Sequence, residues 1–356
     1  MDRTTANPTF QVTVLPSGRT FTVIAGETIL NAGIRQGVNL PYGCKDGVCG
    51  SCKCGRLAGD IHHDPHHDNA LSAAEAAGGM VLTCRAQPTS DVVLESRQVS
   101  AVDALPVKKF PVRVTSLEKL SSDVIVVKLQ LPAHDLFRYH AGQYIEVMLP
   151  NNVRRSYSMA NAPHTLSTHG LELHIRHTQG GRFTDHVFGA MQEREVLRVE
   201  GPFGSCCLHA IHDRPIVLLA TGTGFAPIKA LIEQLALDGM KHPVTLYRGG
   251  RRPADLYMED WVRSRLDDLP WLNYVPVLSN AQSEDNWPGR TGKVHHAVLS
   301  DIKDLSAYQV FACGSPEMVE SASVDLMRAG LPPHEFYADP FISEADKPQK
   351  PQLFPA

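Results

Sequence analysis

Apolar and polar residues alternate one for one along FQVTVLPSGRTFTVIAG, residues 10–26, and Pro16-Ser17-Gly18 interrupts the alternation. A period of two on both sides of turn residues predicts a β-hairpin with one buried face. The next stretch, ETILNAGIRQG, changes period: Ile29, Leu30, Gly33 and Ile34 share one side of a short helix that Gly37 can end. A further strand in CRAQPTSDVVLESRQV closes a small domain over residues 1–98. SAVDALPVKKFP then mixes Pro, Lys and small residues without a period, which marks a linker over 99–110. Six short strand patterns follow, VRVTSLEKL, VIVVKLQL, QYIEVMLP, RRSYSMA, LELHIRHT and EVLRVEGP, and predict a barrel or sandwich over 111–211. After His212 the pattern changes again. PIVLLATGTGFAPIKALIEQLALDG reads as a buried strand, a glycine turn and a helix, and PVTLYRGG and YQVFACGS supply more strands between helical stretches. That alternation predicts a parallel α/β sheet of the nucleotide-binding type over 212–335, with residues 336–356 as a tail.

Length and composition agree with several globular domains: 356 residues with 43% hydrophobic content. The 34 Lys and Arg against 38 Asp and Glu give a net charge of −4, with no basic block, so nucleic acid is not an expected partner. MDRTTANPTF has no cationic start leading into an apolar run, and no apolar stretch is long enough to span a bilayer. The expectation is a cytoplasmic protein without membrane contact. In a reducing compartment, clustered cysteines point to metal or catalysis before disulfides.

That matters for YGCKDGVCGSCKCG, residues 42–55. Cys44, Cys49 and Cys52 follow C-x4-C-x2-C, and Cys84 lies 32 positions beyond Cys52, the plant-type [2Fe-2S] spacing. Four thiolates must converge on two irons, three from one loop and one from a separate segment. Gly43, Gly47 and Gly50 let that loop bring N–H groups to the sulfurs. A zinc site would more often carry two C-x2-C pairs, and only Cys49/Cys52 forms one. Cys54 breaks the spacing and reads as a small packed residue. HHDPHHD, residues 62–68, reads as an exposed polar loop around Pro65.

Two further motifs carry chemistry. In RRSYSMANAP, Arg155 can pair with phosphate, Tyr157 can stack on a flat ring and Ser158 can hydrogen-bond to it. Downstream, Gly180, Gly181, Arg182, Phe183 and Thr184 stand at a helix start suited to an anion. Gly222-Thr223-Gly224 follows a buried strand, with Pro227 in the first turn of the next helix, as a pyrophosphate site requires. Arg251 and Arg252 follow another strand and could accept a 2′-phosphate. Cys313-Gly314-Ser315-Pro316 ends a third. Cys206 and Cys207 have no partner motif and read as structural.

The cysteine pattern resembles the ferredoxin domain of multidomain oxygenase reductases, and R-x-Y-S with G-G-x-x-T resembles the FAD barrel of the ferredoxin-NADP reductase superfamily. The resemblance covers about residues 10–342 and implies a β-grasp [2Fe-2S] ferredoxin, an antiparallel FAD-binding barrel and a parallel-sheet nicotinamide domain. It implies Cys44, Cys49, Cys52 and Cys84 as cluster ligands. Arg155 would meet the flavin diphosphate, Tyr157 the isoalloxazine, Ser158 the region of N5, and the stretch from Gly181 to Thr184 the FAD pyrophosphate. Cys313 and Gly314 would lie against the nicotinamide, and Phe341 would shield the flavin or pack on the surface. The implied activity is an NAD(P)H-dependent reductase, with a lean to NADH, serving a Rieske-type or diiron oxygenase or a CDP-deoxyhexose dehydrase. A redox-sensing protein that keeps the modules without turnover is the alternative of another class.

Overall fold

The computed structural model describes residues 7–99, 104–133, 137–208 and 213–343. The centre of the expected linker, 100–103, and the expected tail beyond 343 lie outside them. The chain divides into two compact units, one running to Leu105 and the other from Pro106 to Phe341.

In the first unit the predicted hairpin is β1 (Thr9–Leu15) and β2 (Arg19–Ile24), paired from Thr9↔Ile24 to Val14↔Arg19. Val12, Val14, Phe21 and Val23 all face inward, so the period of two in the sequence is the burial pattern of the strands. Helix α1 (Ile29–Arg35) starts where the Thr28 side chain accepts the Asn31 N–H, and it buries Ile29, Leu30, Ala32 and Gly33. The chain continues through β3 (Lys53–Ala58), β4 (Ile61–His63), α2 (Ala73–Ala77), β5 (Met80–Leu82), β6 (Ala86–Pro88) and β7 (Val92–Glu95). The sheet order β2-β1-β7-β3-β5, with β1 and β7 parallel, is that of a β-grasp domain.

The second unit holds two layers of architecture. β8 (Lys108–Lys119), β9 (Val124–Gln130), β10 (Tyr144–Met148), β11 (Arg154–Ser158), α3 (Leu166–His169), β12 (Leu171–Arg176), α4 (Arg182–Gly189) and β13 (Val196–Phe203) come first. Their antiparallel sheet has the order β11-β10-β13-β8-β9-β12, and the bridge Met159↔Leu173 brings its two edges together into a barrel. The six strand patterns in the sequence map onto its six strands.

There follow β14 (Ile216–Thr221), α5 (Phe225–Asp238), β15 (Val244–Gly250), α6 (Glu259–Asp268), β16 (Leu272–Leu278), β17 (Arg290–Thr291), α7 (Val294–Asp301), β18 (Gln309–Gly314), α8 (Pro316–Arg328) and β19 (Phe336–Pro340). All pair in parallel in the order β17-β16-β15-β14-β18-β19. Alternate residues of β14 feed separate cores. Ile216, Leu218 and Ala220 pack with α5, and Val217 and Leu219 pack with α7 and α8. A strand buried on both faces explains the uninterrupted apolar run that sequence reading found there. One expectation needs correction: residues from 336 are not a separate tail, because Phe336–Pro340 hydrogen-bonds to β18 as an edge strand. It was hidden because FYADP is short and Asp339 interrupts its apolar residues.

Candidate functional site

All eight cysteines are free thiols. Those of the loop before β3 form two pairs. The Cys44 N–H donates to Cys49 Sγ at 3.3 Å. The Cys49 thiol donates to Cys44 and lowers its pKa to about 6; burial opposes this, and the N–H groups of Asp46, Val48 and Cys49 assist it. Cys52 Sγ lies 3.3 Å from Cys84 Sγ, and that contact likewise lowers Cys52. Two thiolates on one tetrahedral metal with bonds of about 2.3 Å stand about 3.8 Å apart, so this spacing fits a shared iron. Thr83 fixes the distant segment, its N–H and hydroxyl both donating to Cys52 O at 3.2 and 3.3 Å. Gly50 turns the loop at φ 74°, a left-handed angle that a side chain disfavours. The donor set and its backbone fit a [2Fe-2S] cluster. Cys54 stands apart on β3, 1% exposed, with its thiol pushed up to about 12 by burial.

The histidine-rich loop is more ordered than expected. β4 pairs with β6, and His63 accepts the Leu82 N–H on Nε2 at 3.1 Å. Burial, with the His66 ring beside it, lowers His63 to about 4. An apolar Ile61 at the head of the segment was the only sequence sign of a strand.

On the barrel, β11 carries Arg155, Tyr157 and Ser158. Strand alternation puts Arg155 and Tyr157 on one face and Ser158 on the other. Arg155 Nη1 donates to Arg154 O at 2.8 Å. Ser158 Oγ donates to Asp339 Oδ2 at 3.1 Å, a partner that sequence reading missed because it lies on β19. Phe183 turns its ring inward. It is 1% exposed in the barrel core, and its ring backs Tyr157 at a centroid distance of 5.4 Å. Gly181 caps α4 from the amino side, and Thr184 Oγ1 donates to Thr178 O at 2.8 Å, closing the Thr178–Thr184 loop around Gly180. Arg182 begins the helix.

The parallel sheet changes direction of winding at β14, which lies between β15 and β18, and ligands of such sheets bind at the carboxyl ends beside that strand. A cavity of about 480 Å³ lies there, lined among others by Gly222, Thr223, Arg251, Gly314, Ser315 and Phe341. A Cβ on Gly224 would overlap Cys313 O, so the turn can approach β18 only with glycine there. Gly224→Ala is expected to cost about 2–3 kcal/mol and to raise KM for the nucleotide with FAD and iron contents intact. Unchanged melting and KM would contradict this. Pro227 is buried within the first turn of α5, and the Ser315 hydroxyl caps α8 by accepting the Met318 N–H at 3.3 Å. Phe341 donates its N–H to Gly314 O at 2.8 Å.

Three expectations shift. Arg251 is held by Asp255 through Nε at 3.0 Å and Nη2 at 3.1 Å, and Arg252 by Asp285 at 2.6 Å and Glu284 at 3.0 Å, so carboxylates already engage both guanidiniums. Cys313 is fully buried, beside the Gly314 that lines the cavity. Cys206, read as merely structural, puts its Sγ 3.8 Å from Cys313 Sγ. No sequence spacing signals that contact, since 107 residues separate them.

A buried ionic cluster joins the barrel to α5. Lys229, 5% exposed, reaches Glu172 at 3.2 Å, Glu233 at 2.7 Å and Ala160 O at 3.2 Å. Glu233 also accepts the Ala162 N–H at 2.8 Å.

The fold and these sites define an iron–sulfur flavoprotein oxidoreductase. The description "2Fe-2S iron-sulfur cluster binding domain" matches residues 12–89, "Oxidoreductase FAD-binding domain" residues 111–207 and "Oxidoreductase NAD-binding domain" residues 218–323. The chain belongs to the family of three-domain reductases with this order of modules. It is 36% identical over 330 residues to the CDP-6-deoxy-L-threo-D-glycero-4-hexulose-3-dehydrase reductase of Yersinia pestis, covering 92% of this chain and 97% of that one. It is 32% identical over 335 residues to terephthalate 1,2-dioxygenase reductase component 1 of Comamonas sp., covering 94% and 97%. Among solved structures, the Amycolatopsis cytochrome P450 reductase GcoB superposes with a TM-score of 0.75 at 30% identity, covering 93% and 98%. Among the described residues, no helix is long and apolar enough to cross a membrane.

Proposed function

We propose that this chain is the reductase component of a bacterial-type oxygenase system, drawing on NADH and delivering single electrons to a separate Rieske-type or diiron partner in the cytoplasm. The observation that carries the reading is the pairing of Cys44 with Cys49 and of Cys52 with Cys84, a one-electron centre in the same chain as a dinucleotide cavity. When bound, the cofactors supply the redox chemistry: NADH gives hydride, FAD accepts two electrons and releases them singly, and the cluster passes one at a time.

The protein's part is to hold and orient. Each cysteine pair would hold one iron of the cluster. Arg155 neutralises flavin phosphate, Tyr157 covers the ring system, and Ser158, oriented by Asp339, hydrogen-bonds the flavin edge. The amino end of α4 from Gly181 to Thr184 would meet the FAD pyrophosphate, and the turn from Gly222 to Gly224 that of NADH. Gly314 would let the nicotinamide approach the end of β18 beside Cys313, and Phe341 would shield the flavin. The carboxylates on Arg251 and Arg252 support NADH over NADPH. A second reading, service to a CDP-deoxyhexose dehydrase, is favoured by the 36% identity to a reductase of that name.

The test is steady-state reduction of cytochrome c by the reconstituted protein. NADH is expected to drive it, faster than NADPH; no reduction despite bound FAD and cluster would leave only a redox sensor. Cys54→Ala should keep the cluster's visible absorbance at a cost of about 1 kcal/mol in stability. A bleached spectrum would make Cys54 part of the cluster site.

A further inference from the structure

Helices α7 and α8 pack side by side on one face of the parallel sheet, and both present metal-binding groups to a single point. His295 and His296 are adjacent on α7, and their rings meet edge to face with centroids 4.5 Å apart. His295 Nε2 lies 3.4 Å and His296 Nε2 3.9 Å from the same atom, Asp325 Oδ2 on α8. The three ligand atoms all fall within 4.8 Å of one another. A tetrahedral ion with bonds of 2.0–2.1 Å holds its ligands about 3.3 Å apart, so small side-chain movements would bring all three onto one ion.

The burial of His295 makes the cluster more than a chance meeting of surface groups. Its side chain is 2% exposed, and Nδ1 has no hydrogen-bond partner among the described residues. A buried ring nitrogen without a partner costs free energy. Its other nitrogen points at Asp325 from beyond ordinary hydrogen-bond length. The charged neighbours are Arg328, which reaches Asp325 Oδ1 at 3.3 Å from a 77% exposed side chain, and Lys293, which pairs with Glu317 at 3.9 Å. Arg328 can swing into solvent without leaving a buried charge.

We propose that His295, His296 and Asp325 form a site for a divalent transition metal of the zinc type, with water completing its coordination. Two imidazoles and one carboxylate select such an ion over calcium or magnesium, which prefer oxygen ligands alone. His295 also lines the nucleotide cavity, so the ion sits against its wall. The site is independent of the cluster cysteines and of the electron-transfer reading.

The experiment is equilibrium dialysis of the full-length holoprotein against Zn2+, followed by zinc, iron and FAD analysis. The wild type is expected to retain one zinc per chain with its iron unchanged. His296→Ala and Asp325→Asn, both outside the nucleotide cavity, should weaken zinc binding by more than the roughly 10–100-fold that loss of an outer-shell partner costs. Their FAD content and metal-free melting temperature should match the wild type, which shows that they fold. Retention of zinc by both variants, uptake only as iron is lost, or no uptake by the wild type would each overturn the proposal. So would loss of zinc on His66→Ala, which would move the site to the histidine-rich loop.

Discussion

Cys49→Ser is expected to reduce NADH-driven cytochrome c reduction at least about 100-fold while ferricyanide reduction stays within a few-fold of wild type. The two acceptors separate the two ends of the electron path, because ferricyanide can take electrons directly from flavin. Cys49 accepts the Cys44 N–H and lies within the first unit, so its loss removes one grip on the cluster. Serine is a hard oxygen donor where the site uses soft thiolate, and replacement at a ligand position is a change of chemistry more than of volume. Visible absorbance and iron analysis should show the cluster missing or altered, with FAD at one per chain. Equal loss of both activities would contradict the order of modules, since it would mean that ferricyanide also draws on the cluster.

Lys229→Met is expected to destabilise the second unit by about 3–5 kcal/mol at pH 7, the range for removing one partner of a buried ion cluster. Methionine keeps most of the side-chain volume, so the effect is electrostatic: Glu172 and Glu233 are left facing each other with no cation between them. The pH dependence gives a signature that packing would not. Burial by itself would raise the Glu172 pKa, but the hydrogen bond from His174 and the charge of Lys229 prevail and hold it at about 2, below its ordinary 4.5. A carboxyl depressed in the folded state contributes stability above its unfolded pKa, and that contribution is lost as pH falls through the folded value. The gap between wild type and variant should therefore narrow as pH falls from about 4.5 toward 2, read from urea midpoints. A cost below about 1 kcal/mol, or a gap that does not change with pH, would show Lys229 to be a packing residue.

What the sequence disclosed and what it withheld divide along physical lines. The cysteine loop was legible because metal geometry imposes a spacing, and the hairpin, barrel strands and β14 were legible because burial imposes a period. The glycine turn after β14 was legible because only glycine fits where Gly224 meets Cys313. What stayed hidden depends on contacts between distant segments. Asp339 reaches Ser158 across 181 residues, and the His295, His296 and Asp325 cluster exists only because α7 and α8 are neighbours. Arg251 shows the same limit in another form. Its type and position suggest a phosphate partner, and only the folded turn brings Asp255 back onto the guanidinium. Phe183 shows it too, because its place in the motif does not reveal that the helix turns its ring into the core.

The most direct test of the central claim is anaerobic titration of the full-length holoprotein with NADH, followed by electron paramagnetic resonance at low temperature. The account predicts that the signal of a reduced [2Fe-2S] cluster grows with added NADH in the wild type and is absent from Cys49→Ser, while flavin bleaching persists in both. Flavin bleaching without any cluster signal in the wild type would contradict it.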